Sequence, residues 1–143
     1  MAGDRLTCSA FGVTELDDRL LDFSAVIAVD AAGGNQKVLS ARRGGDALGV
    51  GLRGGSVIDL LPDENGTVLM TRSYVPEARI GSLVEKRLQG LGVDRINTRT
   101  GSVGRVETPR ADEVEYITNG RGKVRIMGLQ VISGTGYARG AVR

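Results

Sequence analysis

Apolar and polar residues alternate in short runs along most of this 143-residue chain, and glycine-rich breaks separate the runs. A period of two predicts β-strands. Arg5 to Val13 reads as the first. Over Thr14 to Phe23 the period changes: Leu16, Leu20 and Phe23 have helical spacing and Thr14 is a candidate cap, so a short helical turn or an ordered loop fits. Ser24 to Ala31 is an apolar run of strand type, closed by Gly33-Gly34-Asn35. Gln36 to Ala41 reads as a second short strand, Arg42-Arg43-Gly44-Gly45-Asp46 as a loop, and Ala47 to Leu52 as strand again.

The next unit is the clearest. Ser56 to Leu61 and Thr67 to Arg72 alternate on either side of Pro62-Asp63-Glu64-Asn65-Gly66, a hairpin signal because Asn and Gly tolerate positive φ. Pro76 to Leu91 is the one convincing helix. Pro76 suits the first turn, Ile80, Leu83, Val84, Leu88 and Leu91 form one stripe, and Gly92 stops it. Period two then returns in Val93 to Arg99, Val103 to Thr108 and Glu113 to Thr118. Asn119-Gly120-Arg121-Gly122 turns the chain into Lys123 to Ser133, a long strand. Gly134 to Arg143 has too few large apolar residues for a core element. The pattern predicts one domain spanning 1–143, mainly β with some α (α+β): a barrel or sandwich of antiparallel strands with one mid-chain helix over about 76–91.

Composition narrows the chemistry. The 22 glycines are far above the roughly 7% of average usage, and their dispersal between apolar runs marks tight turns and bulges. Nineteen basic residues nearly cancel seventeen acidic ones, leaving +2, a poor footprint for a dedicated nucleic-acid binder. There is no histidine, so the commonest general base and metal ligand are missing. The single cysteine, Cys8, excludes an internal disulfide and a cysteine zinc site, and its place in a strand predicts a small buried thiol. No apolar stretch is long enough to span a bilayer, and Met1 to Arg5 lacks the regions of a signal peptide, which predicts a chain made and assembled in the cytoplasm.

The motifs point away from catalysis. Gly49-Val50-Gly51-Leu52-Arg53-Gly54 matches the dinucleotide fingerprint, but a strand ended by Pro62 follows where that motif needs a helix. Gly120-Arg121-Gly122-Lys123 lacks the spacing and the hydroxyl residue of a phosphate loop. Asp17, Asp18 and Asp22, and Asp63-Glu64-Asn65-Gly66, lack calcium-loop spacing and read as solvated turn carboxylates. Asp30, Asp59 and Glu115 show no paired acid–base spacing. No enzyme activity, metal or organic cofactor is expected.

The order of elements resembles the tail tube proteins of long-tailed bacteriophages, especially the short tube proteins of contractile tails. The matching stretch runs from Asp46-Ala47 through Ser56 to Leu61, Asn65 to Thr71 and Ser73 to the segment Pro76 to Leu91, with an N-terminal strand and a C-terminal hairpin in the same order. The resemblance implies a virion structural protein that forms six-fold rings, stacked into a tube through which DNA passes without specific binding. It implies contacts with itself and with other tail proteins, a sheath among them, and no membrane. A balanced charge suits such a channel, because strong phosphate neutralisation would stall passage.

The loop bearing Arg42, Arg43, Asp46 and Arg53 is the expected inter-subunit contact, ordering against carboxylates of a neighbour. Another virion joining or capping protein (terminator, head-closure or decoration) would share this composition. A small RNA- or DNA-binding barrel is the competing class, using Arg42, Arg43, Arg53, Arg121, Lys123 and Arg125.

Overall fold

The computed structural model describes residues 4–41, 52–76, 88–133 and 136–138, and every regular element among them is a strand. Strands β1 (Arg5–Leu16), β2 (Arg19–Asp30) and β3 (Lys37–Val38) form one sheet in that order. A second sheet is the four-stranded meander of β4 (Ser56–Asp59), β5 (Thr67–Tyr74), β6 (Gly90–Asn97) and β7 (Val103–Arg110). Two hairpins complete the set: β8 (Glu113–Thr118) with β9 (Val124–Leu129), and β10 (Val131–Ser133) with β11 (Gly136–Ala138). Every strand pair is antiparallel.

The meander lies in the middle and carries a core on each face. Register partners share a face, so Val68 and Ile96, with Met70, project to one side. There they pack with Val26, Ala28 and Leu39 of the first sheet. The alternate residues Leu69 and Val93 project to the other side and pack with Leu61 and Tyr116, flanked by Val124 and Met127 of the β8–β9 hairpin. Three β layers result, and among the described residues the sheets do not close into a barrel.

The mainly β, antiparallel reading of the sequence holds at this level. The hairpin around Pro62–Gly66 forms as expected. Gly66 takes φ +73°, and its carbonyl accepts the Thr98 N–H (2.7 Å) and hydroxyl (2.6 Å), which ties the turn to the end of β6.

Other expectations need correction. Most of the helix expected over 76–91 falls on 77–87, outside the described residues, but its C-terminal end is wrong: Gly90 and Leu91 open β6. Gly90 has φ +96°, and a Cβ there would lie 2.0 Å from the Arg110 carbonyl oxygen, so two backbones meet where only glycine fits. Thr14 to Phe23 is neither helix nor loop. It is the far end of a hairpin turned by Asp17 and Asp18, both left-handed (φ 49° and 58°), the conformation of a two-residue type I′ turn.

The expected strand Gln36 to Ala41 shortens to Lys37–Val38; Ser40 instead accepts the Val26 N–H on its hydroxyl at 2.8 Å. Lys123 to Ser133 splits into β9 and β10 at Gln130, whose N–H turns aside to the Asp112 carbonyl at 2.7 Å. The tail, in which no core element is expected, supplies the short strand β11 paired with β10. Of the expected strand Ala47 to Leu52, only Leu52 is described, and it lies outside any strand.

Candidate interaction surface

Strands β1 and β2 pair through twelve positions without a bulge, from Arg5 opposite Asp30 to Leu16 opposite Arg19. The base of this hairpin is anchored. Val26 and Ala28 are in the core, and the Arg5 guanidinium binds Asp30 (2.7 Å), the Asn35 carbonyl (2.9 Å) and the Thr98 carbonyl. Ser24 holds the chain at 52–54 by donating its N–H to Leu52 and accepting the Gly54 N–H. Beyond Ser24 the ribbon leaves the body. Phe11, Val13 and Leu20 are 81, 60 and 77% exposed, although each belongs to a residue type that ordinarily seeks the core. Phe23 lies over Gly12, where a Cβ would come within 2.6 Å of its ring.

The outer edge of β1 has no partner among the described residues. From Leu6 to Thr14 it carries no charge, no proline and no bulge, the devices by which edges ordinarily resist pairing with other chains. The opposite edge of the meander shows them all: β7 carries Arg105, Glu107, Pro109 and Arg110, and its register to β6 shifts twice. Between arm and body runs an open groove of about 870 Å³. Phe11, Leu20 and Phe23 line it on one side, with Ile58, Leu91 and Tyr116 on the other.

Three of the four expected contact residues, Arg42, Arg43 and Asp46, lie outside the described residues. Arg53 is exposed and lines the groove beside the arm. Arg121, Lys123 and Arg125 are exposed on the β8–β9 hairpin. Cys8 is exposed on β1, a correction to the buried thiol expected: its register partner is Ile27, so it projects from the face of the ribbon turned away from the core residues Val26 and Ala28. Asp59 is buried as a turn clasp, accepting the N–H of Leu61 (3.3 Å) and of Gly122 (2.8 Å), so Gly120-Arg121-Gly122-Lys123 serves a backbone contact. Among the described residues no three acidic or cysteine side chains come together as a metal site.

No protein-family model, curated protein or solved structure matches this chain. The surface must therefore be read on its own chemistry. The two-stranded ribbon thus presents exposed large apolar side chains, Phe11, Val13 and Leu20 the most exposed among them, beside a backbone edge with no partner among the described residues.

Sequence reasoning missed one polar cluster entirely. Asp94 of β6 is fully buried on the face that holds Met70. Its carboxylate meets Arg72 Nη1 (3.2 Å), Arg105 Nε (3.4 Å) and the Tyr74 hydroxyl. Both guanidinium groups lie over the Tyr74 ring, at 5.7 and 4.9 Å from its centre. Burial, then the Asp94 hydrogen bond, pushes the Tyr74 hydroxyl above its ordinary value. Arg105 is also raised, since its contacts with Tyr74 and Asp94 more than offset burial. The only sequence signal was Arg72 and Tyr74 two apart on a strand, which places them on one face.

Proposed function

We propose that this protein is a self-assembling structural subunit of a virion, stacking as six-fold rings into a tail tube that conducts DNA. The single observation that supports it is the edge of β1, without a partner among the described residues, uncharged and unbroken from Leu6 to Thr14, on an arm that exposes Phe11, Val13 and Leu20. An edge of this kind is a hazard for a solitary chain and an asset for one that meets copies of itself. When the arm of one subunit seats on a different surface of the next, the contact is head-to-tail, and such contacts close into rings when the rotation allows. The near balance of charge fits a lumen through which DNA slides. On this reading the protein performs no reaction and needs no cofactor. Its partners are its own copies and neighbouring tail proteins, and it acts in the virion.

Negative-stain microscopy and sedimentation of the wild-type chain, beside a Phe11→Ser, Val13→Thr, Leu20→Ser variant, test this reading. These side chains are exposed, so the variant should keep the parent's far-UV spectrum. The wild type should form rings or tubes and the variant should remain monomeric. A wild type that stays monomeric at high concentration, or a variant that assembles as well as its parent, would overturn it. Salt-sensitive capture of nucleic acid by the monomer would instead support the binding-barrel alternative.

A further inference from the structure

The Tyr116 hydroxyl has one proton and two neighbours that accept. Its oxygen lies 3.2 Å from the Leu91 carbonyl oxygen and in contact with Glu113 Oε2. If Glu113 is ionised, one contact opposes lone pairs. If Glu113 is protonated, its O–H donates to Tyr116, Tyr116 donates to Leu91, and both contacts become hydrogen bonds. We infer that Glu113 carries a proton in the folded protein, and that this proton fastens the β8–β9 hairpin to the central sheet.

The surroundings favour the neutral acid. The Glu113 side chain is 1% exposed, and an ionised carboxylate there would forgo its hydration. On β7, Arg110 is the one cation that faces it, with Nε 3.6 Å from Oε1. That guanidinium is already engaged by Asp112 at 3.3 and 3.1 Å. Asp112 in the β7–β8 turn and Glu107 on β7 add negative charge. On β8 the facing group is Tyr116; β6 contributes the Leu91 carbonyl, and the register partner on β9 is the uncharged Leu129. Burial, opposed by Arg110 and assisted by Asp112 and Glu107, raises the carboxyl above its ordinary 4.5.

The linkage has a definite sign. The folded chain holds this proton more tightly than the unfolded chain does. The stability it provides is complete below about 4.5 and is lost as pH rises through the raised value of the folded state. The hairpin is then held by Tyr116, Val124 and Met127 packing against the second core and by its hydrogen bonds to β4, from the Thr118 hydroxyl to the Ile58 carbonyl (3.3 Å) and from the Gly122 N–H to Asp59 (2.8 Å). In this way pH sets how firmly that face of the central sheet, which borders the groove, stays covered.

The test uses the full chain with carbon-13-labelled glutamate carboxyl groups, followed by NMR, together with Glu113→Gln, whose amide donates to Tyr116 as the acid does. The Glu113 resonance should titrate above 4.5. Between that pH and its midpoint, the unfolding equilibrium constant of the wild type relative to Glu113→Gln should rise by up to about tenfold per pH unit. A Glu113 midpoint at or below 4.5 would overturn the inference. So would a folded Glu113→Gln variant whose stability tracks the wild type's across the whole pH range. If that variant does not fold, the wild-type titration decides by itself.

Discussion

Replacing Asp94 probes the buried polar cluster that joins β5, β6 and β7. Asp94→Ala removes a fully buried carboxylate from between two guanidinium groups and strips the Tyr74 hydroxyl of its acceptor. Taking one partner from a buried ion pair costs about 3–5 kcal/mol, because the surviving charge remains out of water. The two arginines differ in how they meet that loss. The Arg105 side chain is 35% exposed and turns into solvent, so its share is small. Arg72 is only 12% exposed, and its Nε has no hydrogen-bond partner among the described residues, so it cannot rehydrate without opening the sheet.

The expected loss is therefore at the low end, about 3 kcal/mol, read as a lower urea midpoint at pH 7 with an unchanged slope. Adding Arg72→Met removes the stranded cation and should restore at least half of that loss. An Asp94→Ala loss below about 1 kcal/mol, the scale of an ordinary point change, would refute the argument. So would strict additivity with Arg72→Met, which would mean that the two residues do not interact.

Two further outcomes follow from single residues. Gly90→Ala should destabilise by about 1–3 kcal/mol from backbone strain alone, with more from the Cβ that would lie 2.0 Å from the Arg110 carbonyl oxygen; a melting temperature equal to the parent's would show that β6 and β7 part freely there. Asp30 is held below its ordinary 3.8 by hydrogen bonds from Arg5 and then Asn35, so it contributes stability above that value that is lost as pH falls; Asp30→Asn should flatten the acid side of the stability profile, and an unchanged acid side would disprove the contribution.

Local signals in the sequence were strong where a turn and an alternating run agreed. Pro62 to Gly66 and its flanking strands were readable for that reason, and Glu113 to Thr118 matches β8 residue for residue. The arm was misread because Leu16, Leu20 and Phe23 satisfy a helical period, while the Asp17-Asp18 turn lacks the glycine that usually announces a type I′ hairpin. Leu91 was assigned to a helix because it extends that stripe and also begins an alternation with Val93; periodicity cannot choose between them at a boundary. The interaction surface was the least legible. Exposure of Phe11, Val13, Leu20 and Cys8 depends on what fails to cover them, and a chain read alone assumes that apolar residues find cover. The Asp94 cluster joins three strands, and its register is invisible until β5, β6 and β7 are paired.

Leu69 and Met70 are adjacent on β5, both fully buried, and they point into opposite cores. Two neighbouring residues thus make each core a wall of the other. Releasing β5 exposes both interiors together, so among the described residues no opening that frees this strand leaves either core intact. Small proteins in which each half holds its own interior can breathe by halves. Here the shared strand couples the two cores: whatever the outer layers do, both interiors are lost together when β5 leaves.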